Sequence, residues 1–157
     1  MRARHIPAAT IACASLLGLF ACNGVSLDLP GGDLVIPAPG TVVVEVFDDT
    51  DFEIDPRIHF THGDNWFTGI FTGEDLATGT LNPGDLSRYT MDCDEVGQIQ
   101  SQDAGQFDGP DTIGQADSSR TLQRGADFEC GDVIQFHFIG SYESFGVVVS
   151  VNGVVVD

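Results

Sequence analysis

An uncharged apolar stretch runs from Ile6 to Ala21, and from Thr41 onward the chain settles into short apolar runs broken by polar turns. "TVVVEVF" (41–47) is β-branched and charged only at Glu45, which predicts a largely buried strand. "RIHFT" (57–61) alternates, with Ile58 and Phe60 on one face and Arg57, His59 and Thr61 on the other. "WFTGIF" (66–71) reads as a third strand, and "TGED" (72–75) as a short capping-box turn. "NPGD" (82–85) suits a tight turn between "TGTL" and "LSRYTMDC", because Pro presets φ and Gly accepts φ > 0. "GQIQSQ", "SRTLQR" and "VIQFHFIG" follow, the last setting Ile134, Phe136 and Phe138 against Gln135 and His137. "VVVSVNGVVV" (147–156) predicts a hairpin with Asn152-Gly153 in a type I′ turn. No window holds a 3.6-residue apolar period. About nine short strands with Gly- and Pro-containing turns predict an all-β domain over 41–157. An antiparallel β-sandwich is expected, with a closed β-barrel as the alternative. The longest irregular stretch is 103–117, a connection that is either simply solvated or functional.

The beginning of the chain follows a different pattern. "MRARH" is a short positive segment, and the uncharged run after it is too short to span a bilayer as a helix. It suits the apolar region of a signal peptide. The run ends on "LFAC", Leu19 to Cys22, which resembles the lipobox of bacterial lipoproteins: an aliphatic residue three before the cysteine, a small one just before it. Cys13 fits less well, since Thr10 stands where the aliphatic residue belongs. The resemblance implies a signal peptide over 1–21, lipid attachment at Cys22 and anchoring in a bacterial cell envelope with the domain extracytoplasmic. Several acyl chains give stable anchoring, at about 0.8 kcal/mol per buried CH₂. Asn23, rather than Asp, follows the cysteine, which favours the outer membrane over the inner. The alternative is an ordinary secretory signal cut after Ala21, with Cys22 free or paired. Residues 22–40 hold Pro and Gly without a helical period and read as a tether. Within it "DLVIP" is suited to a short edge strand ended by Pro37.

Charge narrows the partners. The chain carries 24 Asp and Glu against six basic residues, all Arg. A net charge of −18 repels phosphate backbones, so no nucleic-acid partner is expected. With 42% apolar residues and 11 Phe, the composition is that of a folded domain.

With Cys13 cleaved off and Cys22 acylated, Cys93 and Cys130 remain, and an oxidising envelope favours one disulfide between them. Their contexts match: "TLNPG…MDCDEV" (80–96) and "TLQRG…FECGDV" (121–133) share Thr-Leu, Gly, an acid before Cys and an acid-Val pair after it. A weak internal duplication would put both cysteines at corresponding strand ends.

The acidic run "DDTDFEID" (48–55) is the leading site candidate. In an extended chain Asp49, Asp51, Glu53 and Asp55 point one way, and Phe52 and Ile54 the other. Four carboxylates on one face either form a solvated acidic surface or hold a hard cation such as Ca²⁺. The run is not an EF-hand, since Ile54 stands where Gly is required and Phe60 where Glu is. Asp92, Asp94 and Glu95 form a second, smaller cluster. His59, His62 with Asp64, and His137 are satisfied or exposed histidines, or ligands of a transition metal. Trp66, Phe67 and Phe71 line a glycan- or peptide-binding face or pack as a core strand. No nucleophile elbow, P-loop or dinucleotide fingerprint occurs. The expectation is a non-enzymatic structural or binding module without a cofactor, partnered by the bilayer through Cys22 and by a protein or glycan ligand. The alternatives are a Ca²⁺-dependent adhesion or carbohydrate-binding module, and an envelope hydrolase using clustered carboxylates. A further option is pairing of the apolar terminal segment 147–157 with another chain.

Overall fold

A computed structural model describes residues 25–29, 32–62, 74–101, 121–141 and 144–156. Eleven strands are described: β1 (Val25–Leu29), β2 (Gly32–Ile36), β3 (Thr41–Thr50), β4 (Ile58–Thr61), β5 (Glu74–Leu76), β6 (Leu86–Asp92), β7 (Gln98–Ser101), β8 (Leu122–Gln123), β9 (Val133–Ser141), β10 (Ser144–Val151) and β11 (Val154–Val155). One 3-10 turn, Cys93–Glu95, follows β6. A five-stranded sheet in the order β11-β10-β9-β3-β6 faces a four-stranded sheet, β5-β4-β7-β8. The domain is a β-sandwich, as its period-2 pattern predicts, and not a closed barrel.

Alternation fills the space between the sheets. Val42, Val44 and Val46 of β3, Ile134, Phe136 and Phe138 of β9, and Val149 and Val151 of β10 form one cluster with Ile58 and Phe60 of β4, Ile99 of β7 and Leu122 of β8. In register, Phe136 lies between Val46 and Val149, the centre of this layer. The two turns predicted from Gly chemistry are present. Gly84 has φ +87° in the turn after Pro83, and Asn152 and Gly153 have φ 52° and 76° in the terminal hairpin.

Three elements differ from expectation. The larger sheet is mixed, because β3 and β9 run parallel while the other pairs in both sheets are antiparallel. The chain crosses to the other sheet and back between β3 and β6, and again between β6 and β9, so β9 returns in the direction of β3. Parallel central strands are buried and read as near-continuous apolar runs, which is what "TVVVEVF" is. Glu74 and Asp75 belong to a strand rather than to a capping-box turn, because β5 pairs with β4, His59 opposite Asp75. "TGTL" is no strand. Only Leu81 pairs there, exchanging two backbone hydrogen bonds with Ile54 (2.9 and 2.8 Å).

Within the segment read as a tether, β1 and β2 pair antiparallel as a separate two-stranded sheet, Val25 opposite Ile36 and Leu29 opposite Gly32. β2 stops one residue before Pro37, which cannot donate to a ladder. Residues 1–24, the strand expected at 66–71 and the stretch 103–117 lie outside the described residues. Among the described residues no helix is long and apolar enough to cross a membrane.

Candidate functional site

Polar side chains on the outer faces of both sheets are joined across strands. On the larger sheet, the Ser150 hydroxyl donates to Gln135 Oε1 (2.9 Å) and Gln135 Nε2 donates to Glu45 Oε2 (2.9 Å). Arg88 Nε donates to Glu45 Oε1 (2.7 Å), so one row crosses β10, β9, β3 and β6. Glu45 is only 4% exposed. A buried carboxylate is costly unless paired and hydrogen-bonded, and here it has a partner on each oxygen. Arg88 was not singled out in the sequence. The signal was there, however: a lone charge in an apolar strand needs a cation, and the chain has few.

Arg88→Met is expected to destabilise by about 2 kcal/mol, less than a fully buried pair because Arg88 is part-exposed. The double change Glu45→Leu/Arg88→Met is expected to lie closer to the wild type than Arg88→Met alone, since no carboxylate is then stranded. A urea double-mutant cycle checks this, and additive effects would count against the pair.

The next row holds His137. Its Nδ1 meets Asp49 Oδ2 at 2.6 Å, and its ring stacks on Phe47 at 4.3 Å between centroids, 3° from parallel. On the smaller sheet His59 pairs with Asp75, and His62 Nε2 meets Glu74 at 3.1 Å. Each described histidine therefore has a carboxylate partner, and the three lie in separate pairs. Asp64, Trp66, Phe67 and Phe71 lie outside the described residues.

The acidic run is not one extended strand. β3 ends at Thr50 and the chain bends at Asp51 and Phe52. Asp49 is engaged by His137; Asp51 and Glu53 are exposed and Asp55 is half-buried. Among the described residues no three His, Cys, Asp or Glu side chains are grouped to hold a metal ion. Asp48, the inward-facing member of the run, is fully buried, and its Oδ1 accepts the Thr50 N–H (3.0 Å) and hydroxyl (2.6 Å). Asp92 precedes the 3-10 turn, Asp94 and Glu95 lie within it, and all three are exposed. Asp85 closes the "NPGD" turn. The Asn82 N–H (2.8 Å) and side-chain amide (3.1 Å) donate to its carboxylate and hold it below the ordinary aspartate range.

Cys93 and Cys130 form the expected disulfide, with Cα atoms 5.6 Å apart. The resemblance of their contexts does not extend to structure. Cys93 opens a 3-10 turn after the seven-residue strand β6, whereas Cys130 sits in a turn before β9. The bridge is asymmetric, since Cys93 is 2% exposed and Cys130 is exposed. Arg124, which no local pattern marks, donates to the Cys93 carbonyl and lies 3.8 Å from Cys93 Sγ.

No protein-family model matches the chain, and no curated protein matches it. Among solved structures, one similar chain comes from a disulfide-locked mutant of intermedilysin with human CD59. The TM-score is 0.44 at 6% identity, covering 75% of this chain. This chain spans about a quarter of that one (25%), and a likeness this loose defines neither fold nor function.

Proposed function

We propose that the protein is a lipid-anchored component of a bacterial cell envelope, its β-sandwich acting as a non-enzymatic structural or binding module. The observation that carries this reading is "LFAC" at the end of a charged-then-apolar leader. Acylated Cys22 would hold the domain at the membrane surface, in the outer membrane rather than the inner, and a protein or glycan would be its ligand. Support from the domain is of a different kind: its described histidines and its buried glutamate are tied pairwise across strands, which stabilises a sheet.

Expression of Cys22→Ser in a bacterial host tests the anchor. The variant is expected to lose palmitate labelling and to leave the membrane fraction, while Cys13→Ser keeps both. Retention of label by Cys22→Ser would sink the proposal. Melting in EDTA and in millimolar Ca²⁺ separates it from Ca²⁺-dependent adhesion. A bound ion would add about 2.7 kcal/mol at a hundredfold excess over Kd. Coincident curves are expected, because the four carboxylates do not converge. A rise of several degrees that Asp49→Asn/Asp51→Asn abolishes would favour adhesion.

A further inference from the structure

We propose that the Cys93–Cys130 bridge is a directional thiol-exchange site, at which a small neutral or cationic thiol attaches to Cys130 and Cys93 is the sulfur released. Three observations converge on it, independently of the membrane anchor.

The first is access. A thiolate attacks a disulfide sulfur along the S–S axis, from the side away from the leaving sulfur. Cys130 lies in an exposed turn between β8 and β9, flanked by exposed Glu129 and Gly131. Cys93 is buried in the core cluster at 2% exposure. Attack at Cys130 is open and attack at Cys93 is closed.

The second is the leaving group. Exchange is faster when the departing sulfur is stabilised as a thiolate. Arg124 Nη1 lies 3.8 Å from Cys93 Sγ and is held there by its hydrogen bond to the Cys93 carbonyl. Arg124 Nη1 also lies 3.6 Å from Asp94, whose fully exposed side chain is screened by solvent. Burial alone disfavours a thiolate at Cys93, and the adjacent guanidinium offsets that cost by pairing with the negative sulfur.

The third is the charge of the surroundings. Glu129 and Asp132 flank Cys130, and the chain as a whole carries a net charge of −18. An anionic thiol is repelled and a cationic one attracted.

The step balances without an external oxidant or reductant. The incoming thiolate sulfur forms a bond to Cys130 Sγ while the Sγ–Sγ bond breaks, and the bonding pair leaves with Cys93 as its thiolate. One disulfide is exchanged for another. Return attack by the Cys93 thiolate on Cys130 expels the small thiol and restores the bridge.

The test uses the full chain in a Cys13→Ser/Cys22→Ser background, so that Cys93 and Cys130 are the sole cysteines. Folded protein is exposed briefly to cysteamine, or to glutathione at matched thiolate concentration, then quenched with acid and mapped by peptide mass spectrometry. The adduct is expected on Cys130 in at least tenfold excess over Cys93. Cysteamine should react severalfold faster than glutathione at low salt, and high salt should shrink that ratio. Adducts divided equally, or exchange seen only in urea, would overturn the proposal. Arg124→Gln supplies a second readout with opposite signs. If Arg124 only braced the turn, its loss would loosen the bridge and speed exchange. Stabilisation of the leaving thiolate instead requires exchange to slow severalfold, with Arg124→Lys recovering part of the rate.

Discussion

Phe136→Ala is expected to cost about 3–5 kcal/mol of folding free energy, the largest effect of any single side-chain truncation proposed for this domain. Phe136 is fully buried on β9, between β3 and β10, with Val46 and Val149 as its register partners. Neighbours on both sides are themselves pinned in ladders, so the cavity cannot collapse readily, and incomplete collapse is what raises the cost of such truncations. The adjacent His137 provides the control. It lies on the opposite face, part-exposed, stacked on Phe47 and paired with Asp49. His137→Ala should cost no more than about 1 kcal/mol, since exposed pairs contribute little. Urea denaturation of both variants checks the contrast. Equal losses would mean that the two faces of β9 are not core and surface.

Loss of the disulfide should come next in size. In the chain-entropy account, a bridge with a separation of 37 residues stabilises by about 4 kcal/mol. Cys93→Ala/Cys130→Ser is the suitable variant, because a Ser at buried Cys93 would add a desolvated hydroxyl to the cost. The melting temperature should fall by about 10–15 °C, and dithiothreitol-treated wild type should melt with the variant. A loss below about 1 kcal/mol would show that the unfolded chain is already constrained near these positions.

How legible these features were depends on how far apart their residues lie. The faces of β9 followed from strict alternation in "VIQFHF", and the terminal hairpin from Asn152-Gly153, both of which take φ > 0. The "NPGD" turn was equally local. The pairing of Cys93 with Cys130 was expected through the lipobox resemblance, which sets Cys13 and Cys22 aside, and the bridge is present. By contrast, β5 looked like a turn because "TGED" satisfies a capping pattern, and its pairing with β4 overrode that local preference. The apparent repeat around the two cysteines matched residue types but not elements: one copy spans a seven-residue strand and the other a tight turn. The alternation of the acidic run predicts one extended face, and the bend at Asp51 breaks that face.

By itself, the sequence determined the period of the strands, the positions of the glycine-dependent turns, the all-β class and the strongly negative net charge. These are local or additive properties, set by residues within a few positions of one another or by a sum over the chain. Only the tertiary structure decided that β3 and β9 lie parallel, that Glu45 is neutralised by Arg88 across a separation of 43 residues, and that Arg124 rests against Cys93 across 31. It also decided which end of the disulfide faces solvent. Each of these depends on strand order and on the packing of one sheet against the other. Alternation tells a side chain which face it occupies but not which distant residue it will meet there.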